Sequence, residues 1–218
     1  MPPDTKTRIL DAAETRFAEH GYSATSLRDI TTLATANLAS ANYHFGSKSA
    51  LLEAVIRRRV VPVNNERLRL LDELEAKVGS GRLDVEPVVR AFLAPVFQTT
   101  VESGFREPKF MQLVGRMHSE TNSDFRDVFL RLFVEVGKRF GSAFSRARPE
   151  IEAGEVMWRL HFMIGSLAHT MVWERYVGEM LAPPARDRQE LLGALTRFVV
   201  AGMRAEGVQS GETGSAAR

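Results

Sequence analysis

The chain has 218 residues, 44% of them hydrophobic and 26% charged, with a formal net charge of only +2 and no cysteine. That length and balance suit a soluble globular protein, one large domain or a small one plus a medium one, with a core that forms without covalent help. The missing cysteines exclude disulfides and thiolate metal sites, and the small net charge excludes a polycationic nucleic-acid coat, so any DNA binding has to come from placed groups, helix N-termini and dimerisation.

Residues 4–20 read as a helix capped by Asp4, with Ile9, Ala13 and Phe17 repeating every four residues on one face and Gly21 ending it. Ser26-Leu27-Arg28-Asp29 has the form of a capping box, and Leu27, Ile30 and Leu33 give a short second helix its buried stripe. A turn near Ala34-Thr35-Ala36 leads to Asn37-Leu38-Ala39-Ser40-Ala41-Asn42-Tyr43-His44-Phe45-Gly46-Ser47-Lys48. This stretch reads as a third short helix, stopped by Gly46, and a new helix that Ser47 caps at once. Ala41 and Phe45, four apart, face inward, while Ser40, Asn42, Tyr43 and His44 offer donors and acceptors outward with Lys48 beside them. The second and third helices then stand in helix-turn-helix arrangement, and a polar helix on a small helical domain is what reading a DNA major groove needs.

In order and spacing, Ile9-Leu10-Asp11-Ala12-Ala13, Phe17-Ala18-Glu19-His20-Gly21-Tyr22, Thr25-Ser26-Leu27-Arg28-Asp29-Ile30 and Asn42-Tyr43-His44-Phe45-Gly46-Ser47-Lys48-Ser49-Ala50-Leu51-Leu52 resemble the N-terminal domain of the TetR family of bacterial transcriptional regulators. The likeness runs without a gap through about the first fifty residues. It implies an all-helical homodimer that usually represses transcription and leaves its operator when a small molecule fills the C-terminal domain. Two positions depart from the family pattern: Thr35 stands where a Gly is frequent in the turn, and Asn42 where a Tyr is frequent. A non-Gly residue with positive φ is uncommon, so Thr35 implies a turn that is strained or differently shaped.

After Ser47 a helix should run through Leu51, Leu52, Val55 and Ile56, carrying Arg57-Arg58-Arg59 either as a solvated face or toward phosphate. Pro62 should kink or break it, and a second amphipathic piece, residues 65–77, follows with Leu68, Leu71 and Leu74 as its stripe. Gly79-Ser80-Gly81 is a loop. Further helices are expected over residues 88–101 (with Pro95 inside), 110–120, 124–146, 155–181 and 190–204. Gly137 and Gly141, four apart, predict close approach of another backbone. Residues 155–181 and 190–204 are apolar on more than one face, which calls for burial; the resemblance implies that these two helices pair with their copies in a four-helix dimer interface. The fold class expected is all-α: a helix-turn-helix DNA-binding domain over residues 1–48, a helical ligand-binding and dimerisation domain over 49–206, and a disordered Gly/Ser/Ala-rich tail over 207–218. No signal peptide and no apolar run of about 20 residues is visible, so the expected location is the cytoplasm.

The residues expected to meet DNA are Thr25, Arg28, Leu38, Ser40, Asn42, Tyr43, His44 and Lys48. Asn bonds adenine bidentately and Ser either base type, so Ser40 and Asn42 are the base readers; Leu38 and Ala39 suit a thymine methyl, though Leu38 also suits packing. Arg28 suits a guanine or a phosphate, and Thr25 a phosphate. Tyr43 and Lys48 match the family's usual phosphate contacts, Lys48 beside a helix N-terminus that is itself an anion site; His44 suits phosphate or a local cap. His118, His161 and His169 lack metal-chelating spacing, no nucleophile motif is present, and no cofactor or enzymatic activity is expected. Phe110, Met117, Phe129, Phe133, Phe162 and Met163 are expected to line an effector cavity, with Arg116, His118 and His161 orienting an apolar or amphiphilic ligand. The resemblance extends to regulators that answer fatty acids or acyl-CoA. The expected function is a homodimeric repressor on a palindromic operator, released by such a ligand; the alternative is a helical lipid-binding or adaptor protein whose N-terminal fold no longer binds DNA.

Overall fold

The computed structural model describes residues 3–98, 108–119, 123–181 and 187–207. Among these residues there are nine helices and no strand: α1 (Thr5–His20), α2 (Leu27–Leu33), α3 (Leu38–Phe45), α4 (Lys48–Val78), α5 (Val85–Gln98), α6 (Pro108–Ser119), α7 (Ser123–Ala147), α8 (Ala153–Leu181) and α9 (Arg188–Arg204). None of the helices is long and apolar enough to cross a membrane.

Local chemistry sets the helix ends. Asp4 caps α1, its carboxylate accepting from the Thr7 N–H at 2.7 Å, and Gly21 closes the helix at φ 82°. Asp187 caps α9 and forms a capping box with Glu190. The expected break at Pro62 does not occur: α4 runs unbroken from Lys48 to Val78. Pro62 is exposed while Val60 and Val63 on either side of it are buried. The hydrogen bond that its missing N–H forfeits therefore lies toward water, where the cost is least.

Two apolar cores share this framework. The first holds Ile9, Ala13 and Phe17 of α1, Ile30 of α2, Ala41 of α3, and Leu51, Leu52, Val55, Ile56 and Val60 from the first half of α4. It also takes Phe110 and Leu113 from α6 and Val128 from α7. The packing of the N-terminal helices therefore does not stop at residue 48. The second core gathers the rest of α4 with α5, α7, α8 and α9, around Phe92, Phe140, Phe144, Leu160, Met163 and Leu195. The close approach expected at Gly137 and Gly141 takes another form. A Cβ at Gly141 would stand 2.9 Å from the sulfur of Met157, a side chain of α8, and one at Gly137 would meet nothing within 4 Å.

Candidate nucleic-acid interface

The α2–α3 pair begins with a full capping box. The Asp29 N–H donates to Ser26 Oγ at 3.2 Å, and the Asp29 carboxylate accepts from the Ser26 N–H at 2.9 Å and its hydroxyl at 2.6 Å. The Ser26 hydroxyl, and after it the backbone N–H, hold the Asp29 carboxyl below its ordinary range. At the far end of α2 the Ala36 N–H donates to the Thr31 carbonyl at 2.9 Å and the Thr35 N–H to the Thr32 carbonyl at 3.2 Å. That pair of bonds is the Schellman closure, which needs a left-handed residue after the cap. Thr35 takes the role at φ 50°, the one non-Gly residue with positive φ among the described residues. The turn keeps its shape and Thr35 bears the strain.

Helix α3 is capped at both ends. Asn37 Oδ1 accepts from the Ser40 N–H at 2.7 Å and from the Ser40 hydroxyl at 2.8 Å, and Gly46 closes the helix at φ 77°. Of its eight residues only Ala41 is buried, with Phe45 half-buried beside it. Leu38, Ala39, Asn42, Tyr43 and His44 all face outward, and Arg28 of α2 is exposed as well. Tyr43 is 86% exposed, with the His44 ring edge-on to it at 5.2 Å. Ser40 is half-buried and its hydroxyl proton is taken by the cap, so it meets a base only through its lone pairs.

Two of the expected contacts are placed differently. Thr25 is buried: its hydroxyl donates to the Gly21 carbonyl at 2.7 Å, within the turn between α1 and α2, so it does not present itself to a phosphate. Lys48 is pinned. Its ammonium donates to the carbonyls of Tyr22 at 2.9 Å and Thr25 at 3.0 Å and stands 4.2 Å over the Tyr22 ring. Its third N–H is what it has left for an anion. Lys48 thus ties the start of α4 to the α1–α2 turn and fixes where α3 projects.

The Arg57–Arg59 run is neither a solvated face nor a phosphate row. Arg58 reaches Asp11 and the buried Glu14, each at 2.6 Å, and Arg59 reaches Glu14 at 2.9 Å, so both bind α4 to α1. Arg57 stays exposed, 3.8 Å from Glu53. A further tie, unforeseen in the sequence, joins α6 to α1, where the Lys109 ammonium lies 3.1 Å from the Thr15 hydroxyl. These partners are 44 or more residues apart, and no local pattern marks them.

The residues expected to line one effector cavity are dispersed. Phe110 is fully buried in the first core and Phe133 packs against it from α7. Met163 is buried in the second core. His161 is exposed and Phe162 is 60% exposed, on the outer side of α8 with Trp158, whose ring stacks on Phe162 at 6.0 Å. Adjacent helix positions point about 100° apart, so Met163 turns into the core while Phe162 turns out. Arg116, Met117 and His118 of α6 and Phe129 of α7 carry side chains outside the described residues. A groove of about 410 Å³ runs between α8 and α9 and is lined by Arg159, Phe162, Met163, Ser166, Phe198 and Met203, among others. The outward apolar faces of α8 and α9, with Met157, Trp158, Phe162, Trp173 and Phe198 exposed, are those expected to pair with a second copy.

Comparisons with known proteins agree with this geometry. Residues 9–55 match the family of bacterial regulatory proteins of the tetR type, and residues 90–202 match the tetracyclin repressor-like C-terminal domain. The chain is similar to the HTH-type transcriptional repressor NicS of Pseudomonas putida, 26% identical over 202 residues that cover 88% of this chain and 87% of that one. It is also similar to the HTH-type transcriptional repressor KstR2 of Rhodococcus jostii, 29% identical over 154 residues covering 63% and 67%. Among solved structures, the fatty acid degradation regulator FadR from Bacillus halodurans shares the fold at a TM-score of 0.61 and 14% identity, covering 94% of this chain and all of that one.

Proposed function

The chain belongs to the TetR family of bacterial transcriptional regulators, whose members bind DNA, act as dimers and are not enzymes, and from that premise we propose a finer reading. The protein is a repressor that sits as a homodimer on a palindromic operator and leaves it when an apolar or amphiphilic acid, of the fatty acid or acyl-CoA kind, binds the C-terminal helices. The observation that carries the DNA side of this reading is the outward face of α3, with Tyr43 86% exposed on a helix fixed at both ends by caps. Asn42, with Ser40 as acceptor, reads bases; Leu38 meets a thymine methyl; Arg28, Tyr43, His44 and the remaining N–H of Lys48 take phosphates or a guanine. Pairing two copies through Trp158, Phe162 and Phe198 sets two α3 helices against half-sites about 34–36 Å apart or a multiple of that. Repression rather than activation is favoured by the two curated relatives, both named repressors. The alternative, a helical lipid-binding or adaptor protein without DNA binding, loses its main support because Thr35 keeps the turn closed.

The test is fluorescence anisotropy on DNA from the region upstream of the protein's own gene, at several salt concentrations. Tyr43→Ala is expected to leave the fold intact, since that side chain is exposed, and to weaken all sites alike by about tenfold, a loss of about 1.4 kcal/mol. Asn42→Ala is expected to change which base is preferred. Unaltered operator affinity in the Tyr43→Ala, Asn42→Ala double variant would refute the assignment of α3.

A further inference from the structure

Among the described residues two helices, α4 and α7, give buried side chains to both apolar cores. Helix α4 gives Leu51, Val55 and Val60 to the first and Val63 and Leu71 to the second; α7 gives Val128 to the first and Val136, Phe140 and Phe144 to the second. A series of polar ties joins the two helices along their length. Asn64 Nδ2 donates to the Leu132 carbonyl at 2.9 Å, Arg139 reaches Glu75 at 2.8 Å, and Arg146 Nη2 donates to the Gly81 carbonyl just past the end of α4 at 2.7 Å. Numbers rise together on both sides, so α4 and α7 run parallel. Nearer the DNA-reading helices, Arg131 meets Glu53 at 2.9 Å.

These ties are not equal. Arg131 and Arg139 keep much of their side chains in solvent, where an ion pair holds little. Asn64 is 6% exposed. It follows Val63, where α4 passes from the first core to the second, and Leu132 lies midway between Val128 and Val136, where α7 does the same. Its amide has one orientation: Oδ1 accepts from Arg67 Nη1 at 3.0 Å, and an arginine only donates, so the NH₂ group is the end that faces Leu132. Sliding α7 along α4 would leave this buried donor without its acceptor, and the next carbonyl on the same face of α7 lies a full turn, about 5.4 Å, away. We infer that α4 and α7 move as one beam, pinned at Asn64 where the two cores meet, and that α7 is the helix through which the C-terminal half shifts the DNA-reading face. This rests on the ligand-controlled reading above and names its moving part. A displaced α7 carries the first half of α4 with it, and Lys48 at the head of α4 carries the α1–α2 turn through the carbonyls of Tyr22 and Thr25.

Coupling is reciprocal, so operator DNA must restrain α7 if α7 governs operator binding, and DNA itself serves as the probe. The experiment is hydrogen–deuterium exchange read by mass spectrometry on the full-length protein, free in a series of low urea concentrations and bound to its operator duplex. In the free parent, residues 51–67 of α4 and 128–140 of α7 are expected to open together as urea rises, as one cooperative unit. Operator is expected to slow exchange over residues 128–140 by about threefold, although they lie outside the reading helices. Asn64→Asp keeps an acceptor for Arg67 and loses only the donor to Leu132. It is expected to speed exchange of α7 in the free protein and to lose the operator's effect there, while α3 remains protected by DNA. Arg131→Ala, which removes an exposed tie, is expected to keep that effect. Separate opening of α4 and α7 in the free parent, equal α7 exchange with and without operator, or an undiminished operator effect in Asn64→Asp would each overturn the beam. The two parent measurements decide the matter even where Asn64→Asp does not fold. A parent that binds its operator without slowing α7 loses the beam alone, whereas one that binds no operator loses the regulator reading while the urea series on the free protein still judges the beam.

Discussion

Thr35 holds the position at which the helix-turn-helix turn reverses, at φ 50°. A left-handed conformation costs a non-Gly residue about 1–2 kcal/mol, and the branched Cβ of Thr offers no relief. Glycine removes that strain but gives back about 0.5–1 kcal/mol through the larger freedom of the unfolded chain. Thr35→Gly is therefore expected to stabilise the protein by about 0.5–1 kcal/mol in urea melts, without altering operator affinity, because the two Schellman bonds are backbone bonds and persist. A destabilised Thr35→Gly protein would mean that the Thr side chain contributes more than its backbone costs. The caps at Asp4, Ser26 and Ser47 were legible in the sequence because each joins residues three apart; the cap at Asn37 has the same spacing and was missed. Thr25 and Lys48 were legible only as residues that matter. The Lys48 ammonium answers to carbonyls 23 and 26 residues away, and carbonyls carry no sequence signature.

Helices α8 and α9 show what periodicity can and cannot tell. Apolar residues on more than one face call for two buried sides, and the structure buries one of them in the chain's own core and leaves the other exposed. Which side turns into the chain itself and which waits for a second copy depends on where α7 lies, and the sequence does not state that. Val156, Leu160, Met163 and Leu167 turn inward, whereas Trp158 and Phe162 turn out. The same division places Leu195 of α9 in the second core, 7% exposed, and Phe198 outside it, 69% exposed. A charge at Leu195 would enter the protomer's own interior, where unpaired charges are not tolerated. Phe198→Glu is expected to yield a folded monomer: light scattering should report a mass near the single-chain 24.3 kDa, with the parent's helical circular dichroism retained. Leu195→Glu is expected instead to lose that helical signal. A Phe198→Glu protein that remains fully dimeric at low micromolar concentration would mean that the copies meet elsewhere.

Across the whole molecule, the DNA-reading helices and the C-terminal helices are joined at two places rather than one. A helix kinked at Pro62 would make one bent joint between them. In the structure α4 passes Pro62 without a break, and α6 forms a second joint by burying Phe110 and Leu113 against α1, with Lys109 reaching Thr15 beside them. Nothing in residues 1–48 indicates that their core is left open, since its own apolar stripe looks self-sufficient until the positions of Phe110, Leu113 and Val128 are known. The consequence is thermodynamic. A core completed by residues from both halves cannot lose its C-terminal contribution and stay whole, so the DNA-reading helices should not unfold as an independent unit. Phe110→Ala removes a fully buried ring from that joint and is expected to cost about 3–5 kcal/mol. In differential scanning calorimetry the parent and the variant should each show one transition, the variant's lower, and operator affinity should weaken although residue 110 lies outside the reading helices. A variant thermogram that splits, with one transition at the parent's temperature, would show instead that the reading helices fold on their own and that α6 is only a lid laid across them.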